Sequence, residues 1–294
     1  MRGSLGLLLL LAVPAVAVAA TPRVEDTMVV SGTLTVGPRG GVQSYRVHGF
    51  ATLPPAAREI LQATIPHWAF VPIMAHGKPV AARTDMYVRI VADFTGDNRA
   101  RVTVAGAQFG CGAWQTRRAE PNACARGTRL SYANRRPPMY PMDAARDGVG
   151  AETLLELQIG RDGRVAHAAV RQVNLYTRTP RPAFWRQLFA AASVRAARRW
   201  RFHVPTAGPN AAKAWWDVTV PVNYTLRDRT ADACGQRHRY GHWCAYLPGP
   251  VQSIPWAHDA HAQADDVAAV AGGAPFLRDP RFVLKAPSTG AAKS

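Results

Sequence analysis

The side chains best able to do chemistry are four cysteines, Cys111, Cys124, Cys234 and Cys244, with His238 and His242 beside the last two and His258 and His261 following. A zinc centre needs thiolates and imidazoles at short, fixed spacing, and neither C-x-x-C nor H-E-x-x-H occurs. Oxidative pairing is the stronger reading, because an even cysteine count in an exported chain suggests disulfides. Sequence order offers two local pairs, 111–124 and 234–244, and the two other connectivities stay open. Each closed loop would contribute roughly 2–4 kcal/mol. There is no G-x-S-x-G elbow and no Gly-rich phosphate loop before a helix. Acids and histidines are plentiful, but no pattern brings a nucleophile, a base and an orienting group within mutual reach. The expectation is a non-catalytic protein with no metal and no cofactor.

Export is read from the first twenty residues. Arg2 and the α-amine precede an apolar run from Leu5 to Ala20, and Ala15-Val16-Ala17 and Ala17-Val18-Ala19 supply small residues at cleavage spacing. That is the pattern of a secretory signal peptide cleaved near Ala19 or Ala20. A retained inner-membrane anchor is the alternative, but a spanning helix needs about 20 apolar residues, and Pro14 interrupts this run. The expected location is the periplasm. The net charge of +17, from 36 basic and 19 acidic residues, favours anionic partners. An exported protein meets little nucleic acid, so lipopolysaccharide, acidic wall polymers or an acidic protein fit better. The plainer reading is a sequence rich in Arg and Ala, with Arg replacing Lys.

The elements that would carry these side chains occur twice. Val36-Gly37-Pro38-Arg39-Gly40-Gly41-Val42 and Ile159-Gly160-Arg161-Asp162-Gly163-Arg164-Val165 each join two strands through a Gly-rich turn. In the second segment Leu155, Leu157 and Ile159 share one face, with Glu156 and Gln158 on the other. A helix follows each hairpin. The first places Ala57, Ile60, Leu61 and Thr64 on one side. The second opens at Pro182 and repeats Trp185, Leu188, Phe189, Ala192 and Ala196 at helical spacing. Each helix runs into a W-x-F segment, Trp68-Ala69-Phe70 or Trp200-Arg201-Phe202, whose aromatics are expected in the core. An alternating strand closes each unit. The fold class implied is α+β, with two tandem units. Each would be a three-stranded antiparallel sheet with one face covered by a helix.

The second unit adds Tyr140-Pro141 and Ala144 ahead of its hairpin. The order Tyr140, Pro141, Ala144, Asp162, Gly163, Trp200, Phe202, Pro205 and a last strand resembles the C-terminal domain of the TonB family. The resemblance covers about 90 residues, 137–226, and a fainter repeat covers 27–94. It implies a contact function. Such domains bind the periplasmic side of outer-membrane receptors, and a receptor segment adds to an exposed sheet edge. The matching edge here is Trp215–Leu226, with Trp215, Asp217, Thr219, Pro221 and Asn223 sharing one parity. Pro221 has no N–H, which suits an edge and also guards it against unwanted pairing. Strand exchange between two such domains would give a homodimer. Two features depart from the family: the leader looks cleavable, and no long Pro-rich linker follows it. The resemblance therefore implies receptor contact without force transmission. A basic envelope-binding module is the alternative.

These readings divide the chain into a leader (1–20), a first unit (27–94), a disulfide-containing connector (95–136), a second unit (137–228) and a disulfide-containing, partly disordered tail (229–294).

Overall fold

The computed structural model describes residues 24–94, 99–111, 127–226, 241–256, 275–286 and 290–291. The leader, Cys124, Cys234, His238, His258 and His261 lie outside them. Among the described residues, no helix is long and apolar enough to cross a membrane.

The first half opens with a hairpin of β1 (Glu25–Val36) and β2 (Val42–Val47). Helix α1 (Pro55–Thr64) carries proline at its first position, where no N–H is needed. It buries Ala57, Ile60, Leu61 and Thr64, the stripe its spacing gives. After a small hairpin of β3 (Met74–Ala75) and β4 (Lys78–Pro79), β5 (Ala82–Phe94) returns along β1, and β6 (Ala100–Cys111) lies beside β5.

The second half has β7 (Ser131–Asn134), the one-turn helix α2 (Met142–Arg146), and the hairpin of β8 (Ala151–Gly160) and β9 (Val165–Leu175). Helix α3 (Pro182–Ala197), β10 (Arg201–His203) and β11 (Trp215–Tyr224) follow. The α3 stripe is rotated slightly from its expected position. Trp185, Phe189, Ser193 and Ala197 are its buried residues, while Leu188, Ala192 and Ala196 are partly buried.

In both halves the first strand of the hairpin is central. The order is β2-β1-β5 in one sheet and β9-β8-β11 in the other. The hairpin turn and the W-x-F segment also make the same contact in each. The Phe70 amide donates to Gly40 O at 2.7 Å, and the Phe202 amide donates to Gly163 O at 2.9 Å. A Cβ on either glycine would sit 2.1 Å from the carbonyl oxygen of that phenylalanine. Both glycines have positive φ, 86° and 73°. The turn therefore needs glycine for two reasons, backbone conformation and close approach. The aromatics it touches are buried: Trp68, Phe70, Trp200 and Phe202 are all at most 6% exposed.

Two expectations need correction. The first sheet has seven strands, not three, because β6 and three C-terminal strands extend it. Neither sheet has only one covered face. Thr27, Ser31, Asp85 and Arg89 are buried on the first sheet, and Glu152, Leu154 and Glu156 on the second. Strand alternation places these residues opposite the helix-packed faces.

The C-terminal segments explain the extra burial. Strand β12 (Cys244–Tyr246) pairs with the start of β1, and Leu247 then exchanges two backbone bonds with Leu175 at the outer edge of β9. On the other side, β13 (Leu277–Arg278) pairs with β6, while the Phe276 amide donates to Thr219 O on β11. The short β14 (Gly290–Ala291) also joins β6. Both lateral seams between the sheets are thus bridged by the tail. The helix-free faces meet inside, and the helices stay outside. Residues 100–111, assigned to the connector from sequence, form a full strand of the first sheet.

Gly163→Ala should lower the unfolding free energy by about 1–3 kcal/mol, the usual range for a forced backbone conformation, with the steric clash adding to it. Gly41→Ala is the control, since a Cβ there meets nothing within 4 Å. Urea denaturation of both variants measures the difference.

Candidate functional site

The residues that carry the family resemblance form the frame of the second half. Pro141 caps α2, and Ala144 is fully buried in it. The Tyr140 hydroxyl donates to Val149 O at 2.7 Å, and its ring lies edge-on to Phe189 and Tyr224. This ties α2 to both α3 and β11. In the hairpin turn the Asp162 carboxylate accepts from the Arg164 amide at 3.0 Å. Trp200 donates its indole N–H to Arg136 O at 2.8 Å, and Pro205 is buried. These residues are structural, and they position β11.

On β11 the even-numbered residues Trp216, Val218, Val220 and Val222 pack into the core against α3, and Trp216 donates its indole N–H to Asn210 O. The odd-numbered side chains point to the other face. Asp217 accepts from Gln158 at 3.2 Å, Thr219 donates to Glu156 at 3.1 Å, and Asn223 accepts from Tyr176 at 2.8 Å. Because Thr219 O bonds Phe276 rather than β8, the backbone groups of this parity face the outer edge. Pro221 shares that parity, so its missing N–H removes no bond to β8. At the strand's start Trp215 is 58% exposed. The edge thus begins at an exposed Trp215 and is occupied by the chain itself at Thr219.

Beneath that edge lies a polar interior. Burial pushes Glu152 up to about 7, against hydrogen bonds from Asn174 and Tyr246 and the nearby Arg89, which hold it down. Burial also pushes Glu156 up to about 7, opposed by Arg171 and the Thr219 hydroxyl. Arg89 in turn faces Glu25 at 3.6 Å. The alternation of β8 placed Glu156 opposite the apolar face, where solvent was the natural assumption. What it could not show was a second sheet there. The one available signal was Leu154, an apolar residue of the same parity.

Cys111 is disulfide-bonded. Cys244 is buried in a small cluster with Tyr176 and Tyr246, whose rings stack at 5.5 Å. Cys124 and Cys234 lie outside the described residues. Within the described residues, no group of three or more His, Cys, Asp or Glu side chains could hold a metal ion.

Arginines gather at the opposite end of the second half. The backbones of Arg164 and Arg201 pair in an isolated antiparallel bridge, and Arg135 lies over the rings of Tyr132 and Trp200 at 4.8 and 5.4 Å. Arg198 and Arg199 are exposed at the end of α3. Arg186 instead turns inward and donates to Val173 O, Leu247 O and Pro248 O, fastening the tail to β9.

Architecture and edge together describe an α+β protein whose second sheet ends in the strand β11. No family model matches the chain, and no solved structure matches it. Protein TonB from two strains of Xanthomonas campestris pv. campestris is 33% identical over 97 residues, 33% of this chain and 38% of that protein. The match marks a TonB-like region of about a third of the chain. The chain thus spans well under half the length of these curated relatives.

The two glutamates make stability pH-dependent. Their native values lie above the ordinary 4.5, so the native state holds more protons than the unfolded chain between the two values. The associated stability is present below about 4.5 and lost as pH rises through about 7. Urea midpoints should therefore fall across that window, and Glu152→Gln with Glu156→Gln should flatten the decline.

Proposed function

We propose that this chain is a non-catalytic periplasmic interaction protein that binds an extended segment of a TonB-dependent outer-membrane receptor, or of another envelope protein, by strand addition at β11. The observation that carries this reading is the edge itself. β11 ends its three-stranded sheet, turns the backbone groups of Trp215, Asp217, Thr219, Pro221 and Asn223 outward, and begins with an exposed tryptophan. Main-chain bonds would give affinity, and Trp215 would act as an aromatic anchor. The similarity to TonB supports the choice of partner. The matched topology of the two halves, with the same glycine–phenylalanine contact in each, supports reading them as two tandem copies of one TonB-like unit.

Affinity capture from an envelope extract tests it. Wild-type protein should retain TonB-dependent receptors, identified by mass spectrometry, and Trp215→Ala should reduce retention about tenfold, the effect of losing a central aromatic contact. Equal retention by the two proteins would contradict the reading.

A second reading rests on the arginines around the Arg164–Arg201 bridge. Arg135, Arg164, Arg198 and Arg199 are exposed there, and Asp162 is the acid paired with one of them. This surface suits lipopolysaccharide or an acidic wall polymer. The protein should co-sediment with lipopolysaccharide at low salt and be released as salt rises, and Arg135→Glu with Arg199→Glu should abolish the association. No sedimentation at low salt would remove this reading.

A further inference from the structure

We propose that Phe276–Arg278 is a resident strand that occupies the partner edge of β11 at Thr219 and must be displaced before another strand can be added there. The proposal rests on the reading of β11 as the partner edge and assigns that edge an intramolecular occupant.

The segment behaves as a strand between two others. The Phe276 amide donates to Thr219 O at 3.0 Å on one side. On the other, Leu277 and Arg278 stand opposite Cys111 and Gly110, and the Asp279 amide donates to Phe109 O at 3.0 Å. Side chains fix its register. Phe276 is 2% exposed and meets Tyr87 edge-on at 5.2 Å, and Leu277 joins the core of the second half. Asp279 is clamped by Arg281 at 2.6 Å. The approach to β6 is built into the sequence. Gly110 has a φ of 152°, and a Cβ there would lie 2.3 Å from Leu277 O.

The hold on β11 is lighter than the hold on β6. Towards β11 the backbone bond is the one from the Phe276 amide to Thr219 O, whereas towards β6 the segment has the Leu277 and Arg278 pairing and the Asp279–Phe109 bond. On the β11 side the segment therefore depends on Phe276 for anchorage. An incoming extended segment with an aromatic residue opposite Thr219 would make the same bond and fill the same space beside Tyr87. The chain thus carries a stand-in for its own partner, and receptor binding is an exchange of strands.

The probe is a fluorescein-labelled synthetic peptide of residues 275–281, titrated by anisotropy into full-length protein. Wild type should bind it weakly, because the site is filled. Phe276→Ala removes the anchor, and Gly110→Val evicts the segment from the β6 side. Each should bind the peptide at least about tenfold more tightly, and the same peptide with proline in place of its phenylalanine should not bind. Circular dichroism reports whether each variant folds, and should Gly110→Val fail, Phe276→Ala carries the test. Folded variants that bind the peptide no better than wild type would overturn the proposal. Receptor capture is read separately. Peptide binding that rises while no receptor is captured leaves the resident strand standing and removes the partner reading. Receptor captured equally by wild type and both variants leaves the partner reading standing and removes the resident strand.

Discussion

A sheet edge is a row of backbone donors and acceptors that must find partners, and this protein meets that demand with its own C-terminal segments. Two antiparallel sheets lie with their helix-free faces together. Leu247 pairs with Leu175 along one seam, and Phe276 pairs with Thr219 along the other. Without those segments both outer strands of the second sheet would be bare, and bare strands invite aggregation or strand exchange. The same bonds determine how much of β11 is left for an added strand. The architecture and the proposed recognition therefore depend on one feature, the pairing of the tail with the edges.

Closing the seams has a consequence for the interior. Most sheets of this kind keep one face wet. Here the second face of each sheet is buried although it carries Glu152, Glu156, Arg89 and Asn174. Such groups are tolerated when they satisfy one another, and Asn174, Tyr246 and Thr219 supply the donors. The carboxyls respond by favouring the protonated form. A polar interior joined by light seams is easier to open than an apolar one, which suits the proposed exchange of strands.

Much of the local structure was legible in the sequence. The glycine turns, the α1 stripe and the buried W-x-F aromatics follow from periodicity and turn chemistry, and each half forms the expected strand–strand–helix–strand order. The glycine at 163 was legible as a turn residue, but not as the contact point for Phe202. The edge strand was legible through Pro221 and the alternation of β11. What could not be read is long-range pairing. Nothing in the stretch around Phe276 signals a strand, because it is short and bounded by prolines, and its order comes from β6 and β11 rather than from its own propensity. For the same reason β6 looked like connector and the polar face of β8 looked solvated.

The most direct test of β11 as a strand-accepting edge is hydrogen–deuterium exchange of the full-length protein with and without detergent-solubilised outer-membrane receptors. The account predicts that the outward amide of Trp215 becomes protected in the presence of receptor while the amide of Phe276 loses protection. Unchanged exchange at both positions under saturating receptor would contradict it.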